Sequence, residues 1–174
     1  MQPFHVMEIK ETRTKVPQIP EKTKAFENAS SEVKAPRHLE TINEKLEGQR
    51  HPETGVKFEK HEFTLNGERV EGVFPKFDSI FDTKLPKDMY KMSREIQAKY
   101  CTQQLKEEIA RNPELAKEFS PRQLKQIENC ESKISNLTWH HNEIPGKMQL
   151  VDSKIHTDTR HTGGYSLWGA GAKE

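Results

Sequence analysis

The sequence predicts an α+β fold on three observations. An Asn66-Gly67 pair separates two segments of alternating hydrophobicity, residues 87–111 carry apolar residues at helical spacing, and the C-terminal end runs strand, turn, strand, helix. Ahead of them, residues 1–50 carry scattered single hydrophobes among Lys, Glu, Pro and Ser with no helical or strand period, which reads as a linker or disordered lead-in. The expected order is lead-in, β-hairpin, helices and a C-terminal ββα unit over about residues 136–168, with residues 51–174 forming the domain.

The hairpin rests on Val56, Phe58, Phe63 and Leu65 before the turn and Val70 and Val73 after it. Asn and Gly tolerate the positive φ of a two-residue type I′ turn, so Asn-Gly between such segments marks a tight reversal. Phe74-Pro75-Lys76-Phe77 and Ile80-Phe81 then place much aromatic area in an irregular segment, expected to pack the hairpin onto helices. A helix over 87–111 would bury Met89, Met92, Ile96, Tyr100, Leu105 and Ile109, and Asn112-Pro113 would end it. A second helix starts at Ser120 as N-cap, with Pro121 in the first turn and Gln123 completing a capping box, and buries Leu124, Ile127 and Cys130. Leu137–His141 suits a short strand, Ile144-Pro145-Gly146 a turn, and Met148–Val151 a second strand, with Asp152 capping a helix from Ser153.

Composition narrows the classes of function. Only 32% of the 174 residues are hydrophobic and 32% are charged, so the core is small. A net charge of +1 is far from the strongly basic body that coats nucleic acid electrostatically, so phosphate binding would be local. No apolar run is long enough to span a bilayer and the first 30 residues contain no apolar signal core, so membrane insertion by this segment and export by a signal within it are not expected. Cys101 and Cys130 form no CxxC pair, which excludes a zinc site built on thiolates. Both fall at apolar positions of predicted helices and are expected to be reduced thiols.

Four of the eight histidines lie between His140 and His161. Histidine is the commonest metal ligand and the usual general base near neutral pH. His140 and His141 are neighbours on a strand and must point to opposite faces, which suits two jobs: one imidazole on a cation, the other facing a substrate held against that cation. His156 lies one turn into the final helix, facing the strands if Ile155 and Val151 are buried. His161 follows about 140° further round an ideal helix, so both reach one ion only if the helix has ended, for which Gly163-Gly164 is a reasonable place. Such an array can supply what phosphodiester cleavage needs: a divalent cation on the phosphate, a base for water, and a hydrogen-bonding or positive group nearby. The alternative, which spacing alone favours less, is that the same residues are surface or core histidines, or a structural zinc site.

Trp139-His140-His141, Gly146 to Val151, His156, His161-Thr162-Gly163-Gly164 and Trp168-Gly169 resemble the WHH group of nuclease toxin domains. That group belongs to the HNH and endonuclease VII-like, ββα-metal (His-Me finger) superfamily. The resemblance implies that His141 is the general base, that His140 and His156 are metal ligands, and that His161 is a third ligand or a phosphate contact. It implies one divalent ion, Mg²⁺, Mn²⁺, Zn²⁺ or Ni²⁺, and the imidazole-rich set favours a transition metal. The chain departs from the simplest HNH pattern in carrying Gln149 where an Asn stands between the strands, and in the five-residue step from His156 to His161.

Lys147, Lys154 and Arg160 lie beside the histidines and are candidates for flanking phosphates, against the ordinary reading of exposed surface charge. Trp139 reads as a core plug, Trp168 either caps the last helix or touches substrate, and His5, His38, His51 and His61 read as structural or incidental. The expected function is a metal-dependent endonuclease acting mainly on DNA, of low sequence specificity because no base-reading element is visible. Its expected setting is the toxic module of a bacterial competition system, delivered from the producing cell to the target-cell cytoplasm. Such a setting implies a cognate immunity protein and a delivery apparatus or precursor module upstream. A non-catalytic zinc-stabilised binding module and an RNase are the rival readings.

Overall fold

The computed structural model describes residues 34–173, so the part of the expected lead-in over residues 1–33 lies outside the described residues. A compact unit begins at Ala35, so residues 35–50, expected to be lead-in, pack with the residues that follow. A two-residue strand, β1 (Arg37–His38), pairs parallel with the hairpin, and a 3₁₀ turn over Glu44–Leu46 follows. Gly48 and Gln49 exchange backbone hydrogen bonds of 2.8 and 2.9 Å with Phe58. Hydropathy misses this segment because it joins the fold through backbone pairing and contributes few apolar side chains.

Asn66 and Gly67 take φ values of 51° and 79°, and the chain reverses in two residues. The strands they join, β2 (Lys57–Leu65) and β3 (Glu68–Lys76), pair antiparallel from Leu65 opposite Glu68 to Lys57 opposite Lys76. Phe63 and Leu65 face the main core, while Phe58, on the other phase of the strand, is buried. The first sheet has the order β1-β3-β2.

The segment after β3 is less irregular than its sequence suggests. Asp82–Lys84 forms a strand, β4, antiparallel to the later strand β6 (Lys147–Asp152), and Leu150 exchanges backbone bonds of 2.9 Å with Ile80 and Phe81. Asp-Thr-Lys carries no apolar alternation, so its pairing is fixed by its partner and not by propensity. Phe74 joins the main core as expected, whereas Phe77 is buried in a smaller cluster with Val56 and Val151 and does not pack the hairpin onto the helices.

Helix α1 spans Arg94–Arg111 rather than starting at residue 87, because Ser93 caps it by accepting from the Ile96 amide at 3.2 Å. Its buried side chains are Gln97, Cys101, Thr102 and Leu105, while Met92 and Ile96 of the expected stripe are 40% and 50% exposed. The buried face is rotated onto polar residues that find partners inside, which apolar spacing cannot reveal. Helix α2 (Pro121–Glu128) carries the expected capping box between Ser120 and Gln123. It buries Ile127, whereas Cys130 lies beyond its end at φ 51°. Both cysteines are free.

Strand β5 (Leu137–His141) pairs with β6 in register, Trp139 opposite Leu150 and His140 opposite Gln149. The second sheet has the order β4-β6-β5. Asp152 caps helix α3 (Ser153–Thr159) by accepting from the Ile155 amide at 2.9 Å, and a last short helix, α4, covers Gly164–Leu167. Strand, turn, strand and helix thus follow in the expected order. One core joins Phe63, Val70, Leu85, Leu105, Ile134, Trp139, Met148 and Leu150 across both sheets and α1. Each such side chain contributes about 1.5–3 kcal/mol of burial free energy, which anchors β5 and β6 beneath the histidines. No helix among the described residues is long and apolar enough to cross a membrane.

Candidate metal centre

Two consecutive strand residues open the site from opposite faces. His140 turns towards α3 and meets His156, whose Nε2 lies 3.1 Å from His140 Nδ1. Ile155, expected to be buried, is 40% exposed, yet helix α3 packs on β5 and β6 with Thr159 buried and His156 half-buried. Thr159 Oγ1 sits 2.6 Å from Ile155 O and 2.9 Å from Thr54 Oγ1, which fixes the last turn.

The helix ends at Thr159, earlier than the glycines expected to end it. Arg160 takes φ 47° and swings the chain so that His161 comes back over His156. Asn43 secures this reversal, its Nδ2 donating to Thr159 O at 3.1 Å and Arg160 O at 2.7 Å, while the Ile42 amide donates to Thr162 Oγ1 at 3.0 Å. The two glycines instead permit close approach: a side chain at Gly164 would collide with Asn142 O and the Trp168 indole.

His140, His156 and His161 present one nitrogen each, all within 4.8 Å of one another. Their rings lie 4.7–5.1 Å apart between centroids, and Phe77 packs against all three at 4.8–5.3 Å. A tetrahedral ion held by imidazoles at about 2.0–2.1 Å needs ligand nitrogens about 3.4 Å apart; His140 Nδ1 and His156 Nε2 already stand 3.1 Å apart, and the His161 nitrogen lies within 4.8 Å of the other ligand nitrogens. His161 Nδ1 is buried with no hydrogen-bond partner, a lone pair or N–H for which the protein supplies nothing. Burial lowers the pKa of His140 well below the ordinary histidine value, lowers that of His156, and takes His161 to about 4, with neighbouring positive charge adding to the effect. Neutral imidazoles near pH 7 are the ligand form, so the three residues fit a metal ion and could hold one.

His141 faces a different set. Its Nε2 lies 2.8 Å from Gln97 Oε1, and the Gln97 amide nitrogen donates to Met89 O and Tyr90 O, both at 2.9 Å. The rings of Tyr165 and Trp168 flank it at 5.5 Å each. Burial, with the positive charge of Arg94 next, lowers the His141 pKa to about 4. Trp168 is fixed by its indole donating to Asn142 O at 2.8 Å, and Trp139 plugs the core with its indole donating to Thr102 Oγ1 at 3.1 Å.

A cavity of about 610 Å³ opens over these residues, lined by His140, His141, His156 and His161 and by Arg94, Lys133, Tyr165 and Ser166. Arg94 stands at the first turn of α1 with its guanidinium carbon 3.7 Å from the Tyr165 ring centroid, a cation–π contact. None of Lys147, Lys154 and Arg160 lines this cavity. Lys147 borders a second cleft with His61 and Glu143, Lys154 is paired with Asp158 at 2.7 Å, and Arg160 contributes its backbone turn. Arg94 lies outside the histidine-rich tail, and only its place at the capped start of α1 hints that it serves a site. Gln149 bonds Asn142 and Asp82, at 3.0 and 3.2 Å, and not His141.

A family model described as the DNase/tRNase domain of colicin-like bacteriocin matches residues 66–163, more than half of the chain. No curated protein and no solved structure gives a significant match.

Proposed function

The chain belongs to the family of DNase/tRNase domains of colicin-like bacteriocins and is a nuclease toxin domain; from that premise we propose that it is a metal-dependent endonuclease of low sequence specificity acting on DNA. The observation that carries the reading is the convergence of three neutral imidazoles on one point, with a fourth histidine, separately held, in the same cavity. The order strand, turn, strand, helix under these histidines supports assignment to the ββα-metal (His-Me finger) group.

In this reading His140, His156 and His161 hold one divalent ion, which when bound supplies a Lewis acid for the scissile phosphate and its leaving oxygen. The imidazole set favours a later transition metal such as Zn²⁺ or Ni²⁺ over Mg²⁺ or Mn²⁺. His141 takes the proton from the attacking water, and because burial holds its pKa at about 4 it is unprotonated at neutral pH. Arg94, braced on Tyr165, faces the cavity as the cation that binds a phosphate oxygen as charge develops. Contacts made only to the phosphate, by the metal, by His141 through water and by Arg94, carry no sequence information, which accounts for low specificity. Lys147, Lys154 and Arg160 would then touch at most flanking phosphates. The family description also supports delivery from a producing cell into a target cell, with an immunity protein protecting the producer.

The test is plasmid nicking by the wild-type protein and His141→Ala, each stripped with EDTA and reloaded with Mg²⁺, Mn²⁺, Ni²⁺ or Zn²⁺. Nicking that needs metal and falls about 10²–10⁴-fold in the variant, with metal affinity retained, is the expected result. Metal binding without cleavage under any ion would leave a structural zinc module instead. Because the family description names tRNase as well as DNase, the same reactions are run on tRNA; cleavage of tRNA alone would make the protein an RNase.

A further inference from the structure

We propose that Gln97 is the positioning residue that fixes the tautomer of His141, holding the proton on Nε2 and leaving Nδ1 as the atom that accepts one. The inference rests on the reading of His141 as the base. Gln97 is fully buried on α1, 44 positions before the histidine it contacts. A buried amide must satisfy both ends, and its surroundings allow one orientation. Its nitrogen lies 2.9 Å from the backbone oxygens of both Met89 and Tyr90, which only accept. Turning the amide over would bring its oxygen against those two carbonyls and leave two lone-pair contacts with no hydrogen.

Oε1 is therefore the atom 2.8 Å from His141 Nε2, and an amide oxygen only accepts. The ring nitrogen opposite must carry hydrogen. In a neutral imidazole the other nitrogen is then the free acceptor. The ring cannot escape the arrangement by turning, because Tyr165 and Trp168 flank it and Trp168 is itself held by Asn142 O. The two carbonyls that orient the amide belong to the last residue and the C-cap of the 3₁₀ turn over Lys87–Met89, so the chain is continuous from backbone to amide to imidazole. Gln149, the amide between the strands, is engaged with Asn142 and Asp82 and leaves this task to α1.

The decisive measurement uses wild-type protein labelled with ¹⁵N on histidine. Long-range ¹⁵N–¹H correlation spectra near pH 7.5 report which ring nitrogen of each histidine carries hydrogen, and His141 is assigned as the signal lost in His141→Ala. The expected pattern is the Nε2–H form for His141. In Gln97→Met, which keeps volume and removes both hydrogen-bonding ends, that preference disappears. Single-turnover nicking then falls about 10–100-fold, while metal affinity by chelator competition stays within about twofold of wild type. An Nδ1–H form in the wild-type protein overturns the proposal without any variant. So does a Gln97→Met protein that binds metal normally and cleaves at the wild-type rate. Failure of the base reading looks different: His141→Ala would then cleave as fast as wild type while the wild-type spectrum still shows the Nε2–H form.

Discussion

The β5–β6–α3 unit and the segments packed around it contribute differently to the candidate site. The unit supplies every histidine with a short stretch of chain, residues 137–161, and its geometry is local: a strand pair, a capped helix and a turn. The surrounding segments supply no histidine ligand, yet they decide which way each one points. Gln97 reaches His141 across 44 positions, Thr102 reaches Trp139 across 37, and Asn43 reaches Arg160 across 117. Chemistry is thus written in one stretch of sequence and orientation in several distant ones. A motif match can find the first and is blind to the second, because an orienting residue needs only one hydrogen bond in one place.

The comparison breaks most visibly at Arg94, which belongs to the surrounding frame but is assigned a direct part in the reaction. Arg94→Ala should lower single-turnover cleavage about 10²–10³-fold, the usual loss for one donor on a transition-state oxygen. Metal affinity should not change, since Arg94 contributes none of the converging nitrogens. Lys154→Ala serves as the contrast, because that side chain is exposed and already paired with Asp158. Its loss should move cleavage less than about twofold and leave the salt dependence of DNA binding unchanged, whereas loss of Arg94 should reduce the slope by about 0.9. Equal effects at the two positions would mean that the cavity cation was wrongly chosen.

These contrasts also explain how far the sequence could be read. The hairpin, the Ser120 capping box, the Asp152 cap and the strand–turn–strand–helix order were legible because each rests on residues within a few positions of one another. The clustering of His140, His156 and His161 followed from the same local logic once the helix was required to stop, although it stops at Thr159 and not at the glycines. What escaped was the buried face of α1, where Gln97 and Thr102 look like solvent-facing polar residues until their partners are known. Strand β4 and the segment from Ala35 escaped because backbone pairing, not apolar pattern, holds them. None of Lys147, Lys154 and Arg160, singled out by proximity in sequence, lines the cavity, because adjacency in sequence does not fix where a long exposed side chain points.

Acid sharpens the comparison from the side of the ββα unit. The four clustered histidines have folded-state pKa values below the ordinary value of about 6.5, chiefly through burial, with His141 and His161 at about 4. The unfolded chain therefore binds more protons below pH 6.5, and the stability these groups allow is present above that pH and lost as pH falls from 6.5 towards 4. For the metal-free protein, thermal unfolding should show a falling midpoint across this window, worth at most about 3 kcal/mol from each of His141 and His161. Removing the His141 or the His161 imidazole should each flatten part of that fall. A flat midpoint between pH 7 and pH 4.5 would mean that the rings are far more solvated than the packing of Phe77, Tyr165 and Trp168 implies.

The smallest effect tests the most distant residue. Asn43 precedes the segment that the family model matches, and it caps the end of α3 by donating to Thr159 O and Arg160 O. The left-handed turn at Arg160 follows the helix end directly, and His161 comes next. Loosening that turn should leave His140 and His156 in place, 3.1 Å apart, while His161 samples positions away from them. Asn43→Ala should accordingly weaken metal binding by about tenfold, in the range seen when a group that orients a ligand is removed. Stability should fall by about 1–3 kcal/mol, because the lost cap is joined by the strain of alanine at a φ of 64°. The tautomer of His141 should be untouched, because Gln97 and not Asn43 sets it. Asn43→Asp separates capping from bulk: a carboxylate cannot donate to two carbonyl oxygens, so it should weaken metal binding at least as much as alanine does. If both variants bind metal with wild-type affinity, His161 is held by the ββα unit alone, and the segment beginning at Ala35 is scaffold without influence on the centre.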